Sequence, residues 1–194
     1  MRFAMFLVTM MGCGASTTPA PWTQGPLVGE QPVTASTKRS STLEALTFVE
    51  PNPVDYDYDD DPSQRAVAET ECARNAEACL QAGVMAERGL GGSSDVVAAK
   101  GFYERACAMD VSEGCSLLGG LYWRDLLGVD QVSLALTWFK QGCALENEED
   151  CVRAAYILAQ DVTAESQRDA EQYLQQACVL GYTEVCLEPV DQDH

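Results

Sequence analysis

Eight of the nine cysteines form a ladder of pairs, Cys72/Cys79, Cys107/Cys115, Cys143/Cys151 and Cys178/Cys186. The offset within a pair is seven residues in the first and eight in the other three. The second members, at 79, 115, 151 and 186, recur every 35 or 36 residues. A fixed period of that length marks a stacked helical repeat, in which each unit buries its face only against its neighbours. The ladder therefore predicts an all-α, helical-repeat solenoid.

The same spacing predicts disulfides within each pair. Residues eight apart on one continuous helix are separated by about 12 Å along its axis, whereas a disulfide needs Cα atoms within about 7 Å. A turn must then separate the partners, one ending a helix and the other starting the next. The sequence supplies turns at Asp110 to Gly114, Glu146 to Asp150 and Leu180 to Thr183. Structural zinc is the competing use of cysteine pairs. It typically takes cysteines two to four apart, often with His, and the single His is His194. Eight paired cysteines point to an oxidising compartment. Closing an eight-residue loop is worth about 2–3 kcal/mol, so four bridges approach the whole stability of a small domain.

The chain opens Met1-Arg2, then an apolar run from Phe3 to Met11, then Gly12-Cys13-Gly14-Ala15-Ser16. The run is too short to span a bilayer, which takes about 20 residues; it reads as a secretory signal over 1–12. Gly12-Cys13 resembles the end of a bacterial lipobox, although Met10 and Met11 stand where Leu and Ala or Ser are usual. Cys13 is the expected lipidation site, and it accounts for the odd ninth cysteine. The alternative is a plain signal cleaved after Ala15. Gly14 after the cysteine, rather than Asp, resembles lipoproteins sent to the outer membrane, on its periplasmic side or at the cell surface.

Residues 13–63 are expected to be a disordered, acidic, Pro-rich tether. They hold seven of the eight prolines and end in the run Asp55-Tyr56-Asp57-Tyr58-Asp59-Asp60-Asp61. That run lacks the Gly and distal Glu of a calcium loop. From Ser63 the apolar pattern turns helical. A repeat domain is predicted over 64–190, with helix pairs near 79–109, 112–144 and 148–179 and a last half-unit from Tyr182.

These units resemble Sel-one-like repeats, relatives of tetratricopeptide repeats. The second unit carries the pattern best, with Gly114-Cys115, Leu118-Gly119 and Tyr122, then Ala135, Trp138-Phe139 and Gly142-Cys143. Unit one keeps Cys79, Gly83, Ala99, Phe102, Tyr103, Ala106 and Cys107, with Ala86 in place of the tyrosine. Unit three keeps Cys151, Ala170, Tyr173, Ala177 and Cys178, with Ala154-Ala155 for Leu-Gly. The eight-residue cysteine spacing is closest to the cysteine-rich secreted subfamily. The resemblance implies a right-handed solenoid. Gly83, Gly119 and Ala155 would let paired helices approach, and Phe102/Tyr103, Trp138/Phe139 and Tyr173 would fill the core.

In such solenoids the first helices of successive units line a concave face where a partner lies. The expected function is a non-catalytic protein- or peptide-binding scaffold anchored in the envelope, monomeric and without cofactor or metal. Its partner would be another envelope protein or peptide, or cell-wall material. The binding candidates are Arg88, Trp123, Arg124, Arg153 and Tyr156, with Gln81, Glu87 and Ser116 also expected at the surface. The three arginines are read as exposed groups able to hold carboxylates. A net charge of −18 disfavours nucleic acid, because phosphate binding needs clustered Lys and Arg. The alternative, through the cysteine-rich subfamily, is a β-lactamase-like or penicillin-binding hydrolase. Its Ser-x-x-Lys chemistry finds no match: Ala35, Val97 and Thr137 stand three before the three lysines. No catalytic residue is assigned.

Overall fold

The computed structural model describes residues 41–127 and 131–186. Among them the chain is all-helical and has no strand. The helices are α1 (Ser41–Ala45), α2 (Pro62–Glu71), α3 (Ala76–Arg88), α4 (Val96–Ala108), α5 (Ser112–Trp123), α6 (Gln131–Ala144), α7 (Glu148–Ala159) and α8 (Ala164–Leu180). Short 3-10 turns occupy Pro53–Asp55 and Thr183–Val185. The expected pairs appear as α3/α4, α5/α6 and α7/α8, and from α2 onward each helix packs against its neighbours in sequence. No described helix is long and apolar enough to cross a membrane. The signal and Cys13, the tether through residue 40, the α5–α6 connection at 128–130 and the tail after Cys186 lie outside the described residues.

Local chemistry sets the helix ends. The first helix of unit one begins before Cys79 because the Asn75 side chain accepts the backbone N–H groups of Glu77 and Ala78 at 3.0 and 3.4 Å. Asp95, Asn147 and Thr163 cap α4, α7 and α8 in the same way. Each later helix pair is joined to the previous one by one repeated turn. After α4, Val111 N–H donates to Ala106 C=O and Asp110 N–H to Cys107 C=O. After α6 the same bonds run from Asn147 to Gly142 and from Glu146 to Cys143. This pattern needs a left-handed residue just past the helix. Asp110 (φ 64°), Glu146 (φ 65°) and Gly181 (φ 121°) occupy that place, one per period. The turn reverses the chain within the eight-residue offset, so the Cα atoms of Cys107/Cys115, Cys143/Cys151 and Cys178/Cys186 lie 4.8, 4.7 and 5.0 Å apart. Cys72/Cys79 comes to 4.3 Å. All four pairs are at sulfur–sulfur bonding distance.

The small residues act as expected in the first two pairs. A methyl on Gly83 would enter the ring of fully buried Tyr103, and one on Gly119 would sit 2.6 Å from the ring of Phe139. In the third pair Leu174 takes the register of Tyr103 and Phe139, and the expected core residue Tyr173 is only partly buried. A smaller side chain there leaves room for Ala155 where the other pairs require glycine. Phe102 and Trp138 likewise pack at the margin of the core.

The segment before α2 departs from the expected tether. Residues 41–61 lie packed on the helices: Leu43 is 4% exposed, Pro51 and Pro53 are buried, and Phe48, Tyr56 and Tyr58 pack against the core. Removing these apolar groups from water stabilises an ordered path that low average hydropathy conceals.

Candidate functional site

The first helices α3, α5 and α7 do present side chains to one segment of chain, and that segment is the protein's own residues 43–58. Leu43 joins the cluster of α7 and α8 with Val152, Leu174 and Val185. Phe48 stacks on Trp123 (centroids 4.1 Å, planes at 25°) and meets Tyr156 at 5.3 Å and Phe139 edge-on at 5.9 Å. Pro51 rests on Gly120 of α5. Further on, Arg88 at the end of α3 donates from Nη1 to Tyr56 C=O at 2.5 Å. Asp60 Oδ1 accepts Gly91 N–H at 2.5 Å. The strap thus runs from the last helix pair back to the first, in neither helix nor strand between Leu46 and Asn52. Partial burial beside Glu77, to which its hydroxyl donates, pushes the Tyr58 phenol up to about 12.

Trp123 and Tyr156, both expected to meet a partner, are brought together here, and Phe48 packs on both. The arginines divide. Arg88 is exposed and holds the strap backbone. Arg124 pairs with Glu87 at 2.7 Å, and Glu87 also accepts the Tyr103 hydroxyl at 2.8 Å. Glu87 was expected at the surface, but its side chain is 6% exposed because it links two helix pairs. Arg153 is only 3% exposed. It donates Nε to Val49 C=O at 2.6 Å, Nη1 to Asp150 Oδ1 at 2.7 Å and Nη2 to Glu149 Oε2 at 2.5 Å. Ser116, another expected surface group, is buried and donates to Asp150 Oδ2 at 2.5 Å. Gln81 is half-buried.

Asp150 is the residue that the sequence reading passed over. It is fully buried. At the equivalent place one period earlier stands Gly114, packed on Ala106. In unit three the sizes are exchanged: Gly142 replaces the alanine, and a methyl there would overlap the Asp150 carboxylate. The carboxylate fills the space left by glycine and joins α5 to α7 through Ser116. Burial pushes it up from the ordinary 3.8 to about 6, against the lowering pull of Arg153 and Ser116.

This pKa gives a signed expectation. Between about pH 4 and 6 the folded chain holds a proton on Asp150 that the unfolded chain has released. That contribution is fully present below pH 4 and is lost as pH rises through 6. Asp150→Asn removes it. The stability of wild type relative to Asp150→Asn should fall between pH 4 and 7.5 by on the order of 2–3 kcal/mol. The opposite trends of Asp61 and Asp161, both held low chiefly by hydrogen bonds, cancel in that difference. Urea titrations of both chains at the two pH values measure it; parallel pH profiles would show that folding leaves the Asp150 titration unshifted.

Chemically, the face offers aromatic stacking and guanidinium donors aimed at main-chain carbonyls. Among the described residues no group of three or more His, Cys, Asp or Glu is placed to hold a metal ion, and the eight described cysteines are paired. No family model matches the chain, and no curated protein matches it in sequence. The functional reading therefore rests on this geometry. The residues missed by sequence reasoning are Leu43, Phe48, Pro51, Tyr56 and Asp150. The available signal was the run Leu43-x-x-Leu46-x-Phe48-Val49, too apolar for a free spacer.

Proposed function

We propose that the chain is an envelope-anchored, non-catalytic scaffold of Sel-one-like repeats that binds an extended segment of another envelope protein. In this reading the helix pairs form a right-handed solenoid, Cys13 carries the lipid, and the monomer faces the periplasm or the cell surface from the outer membrane. The observation that carries the binding reading is the strap itself. The face of α3, α5 and α7 holds a largely irregular stretch of chain through an aromatic stack and through Arg88 and Arg153 donating to its carbonyls. Carbonyl contacts of this kind recognise a backbone path, while side-chain pockets choose among sequences.

Selection of a displayed peptide library on the immobilised full-length chain tests this. Enrichment of extended peptides with an aromatic anchor is expected, with capture reduced at least tenfold by Trp123→Ala. A tenfold change corresponds to about 1.4 kcal/mol, within the range of an aromatic anchor at an interface. Absence of enrichment would count against the binding reading, and hydrolysis of nitrocefin by the purified chain would favour the hydrolase alternative.

A further inference from the structure

The strap also defines what the groove selects. Gly120 lies inside α5, where glycine costs about 0.5–1 kcal/mol relative to alanine. The three atoms nearest to a methyl placed there all belong to Pro51, the closest, Cγ, at 2.8 Å. The helix is bare at that point to admit a proline. Three positions earlier in the strap, Phe48 packs on Trp123 and Tyr156, whose own rings meet edge to face with centroids 6.0 Å apart. Leu43 and Leu46 sit against α7 and its neighbours. The spacing read by the groove is thus Leu-x-x-Leu-x-Phe-x-x-Pro, with the Val49 and Tyr56 carbonyls held whatever their side chains. The strap joins α2 through the exposed residues Asp59 and Asp60, so it can leave the groove without breaking a helix.

Resting on the scaffold reading above, we infer that the groove recognises a segment of a second protein with this Leu/Leu/Phe/Pro spacing, its first Leu in a helical turn as Leu43 is in α1, and that residues 43–58 are an internal copy competing for the same site. A segment tethered in cis is present at an effective concentration of order millimolar. Its occupancy lowers the apparent affinity of the incoming segment by the fraction of open groove. The partner then binds only when it matches the anchors well enough to displace the strap.

The test uses the full-length chain and a fluorescein-labelled synthetic peptide of residues 42–58, followed by anisotropy. The Phe48→Ala chain, whose own strap lacks the anchor, should bind the peptide at least tenfold more tightly than wild type, and a peptide with the same substitution should bind neither chain. Gly120→Ala gives a second route, which leaves the Phe48 side chain itself intact. Its methyl evicts Pro51 of the strap, and a peptide carrying Pro51→Gly should bind that chain at least tenfold more tightly than it binds wild type. Equal affinity of wild type and both variants would overturn competition in cis while leaving the groove as a peptide site. Binding by none of the three chains would overturn the scaffold reading as well. Concentration-dependent dimerisation of wild type in sedimentation would assign the groove to the strap of a second copy, against the inference.

Discussion

Reduction of the four cysteine pairs is expected to unfold the helical domain. Each bridge closes a short loop across the turn between consecutive helices, worth about 2–3 kcal/mol in the unfolded chain's entropy. Four together amount to on the order of 10 kcal/mol, against a typical domain stability of about 5–15 kcal/mol. The helices cannot make this up alone, because each pair buries its face only on its neighbours. Far-UV circular dichroism with and without a phosphine reductant should show loss of the cooperative melt. The order of loss is also expected. Cys178 and Cys186 are partly exposed at the end of the described array, whereas Cys72, Cys79, Cys107 and Cys115 are fully buried. Alkylation followed by mass mapping should therefore trap the Cys178–Cys186 thiols first. A fully reduced, alkylated chain that still melts cooperatively within a few degrees of the oxidised one would show that helix packing alone suffices.

Arg153→Glu is expected to cost about 3–5 kcal/mol, the penalty for breaking a buried charge pair. The substitution leaves Asp150, which Ser116 also bonds, without its cationic partner and places a further carboxylate beside it inside the α5/α7 interface. It also releases Val49 C=O and hence the strap. Arg88→Glu should cost at most about 0.5 kcal/mol, as for surface positions generally, because Arg88 donates to the strap backbone from a side chain that faces solvent. Urea denaturation of the two single variants separates the cases. Equal stability of both would mean that the Arg153 cluster is hydrated in solution.

That contrast shows what could be read from the chain alone. The periodic positions were legible because a 36-residue period and helical spacing are local patterns: the helix pairs and the Cys ladder follow from them, while the roles of small Gly83 and Gly119 came with the family resemblance. The fate of Arg153 was legible by the same period. It lies 36 residues after Leu117, a buried position, whereas Arg124 lies 36 after Arg88 at the helix end. Read only as three arginines on first helices, they looked alike. Asp150 needed one further step, since its burial depends on Gly142 standing where the preceding unit has Ala106. The strap was legible only as an apolar run at Leu43–Val49, and its docking place was not. Its anchors have no helical period, and Phe48 finds its partners 75 residues or more along the chain at Trp123 and Tyr156. Composition averaged over a Pro-rich, acidic stretch describes the spacer between anchors, not the anchors.

The most direct test of the strap in its groove is a nuclear Overhauser measurement on the oxidised full-length chain, with Phe and Trp rings selectively protonated in a deuterated background. Phe48 and Trp123 ring centroids 4.1 Å apart should give strong cross-peaks between these two rings, lost in Gly120→Ala while the Phe139 contacts of the core persist. A spectrum in which Trp123 shows its core contacts but no cross-peak to Phe48 would contradict it, and would leave the face of α3, α5 and α7 open.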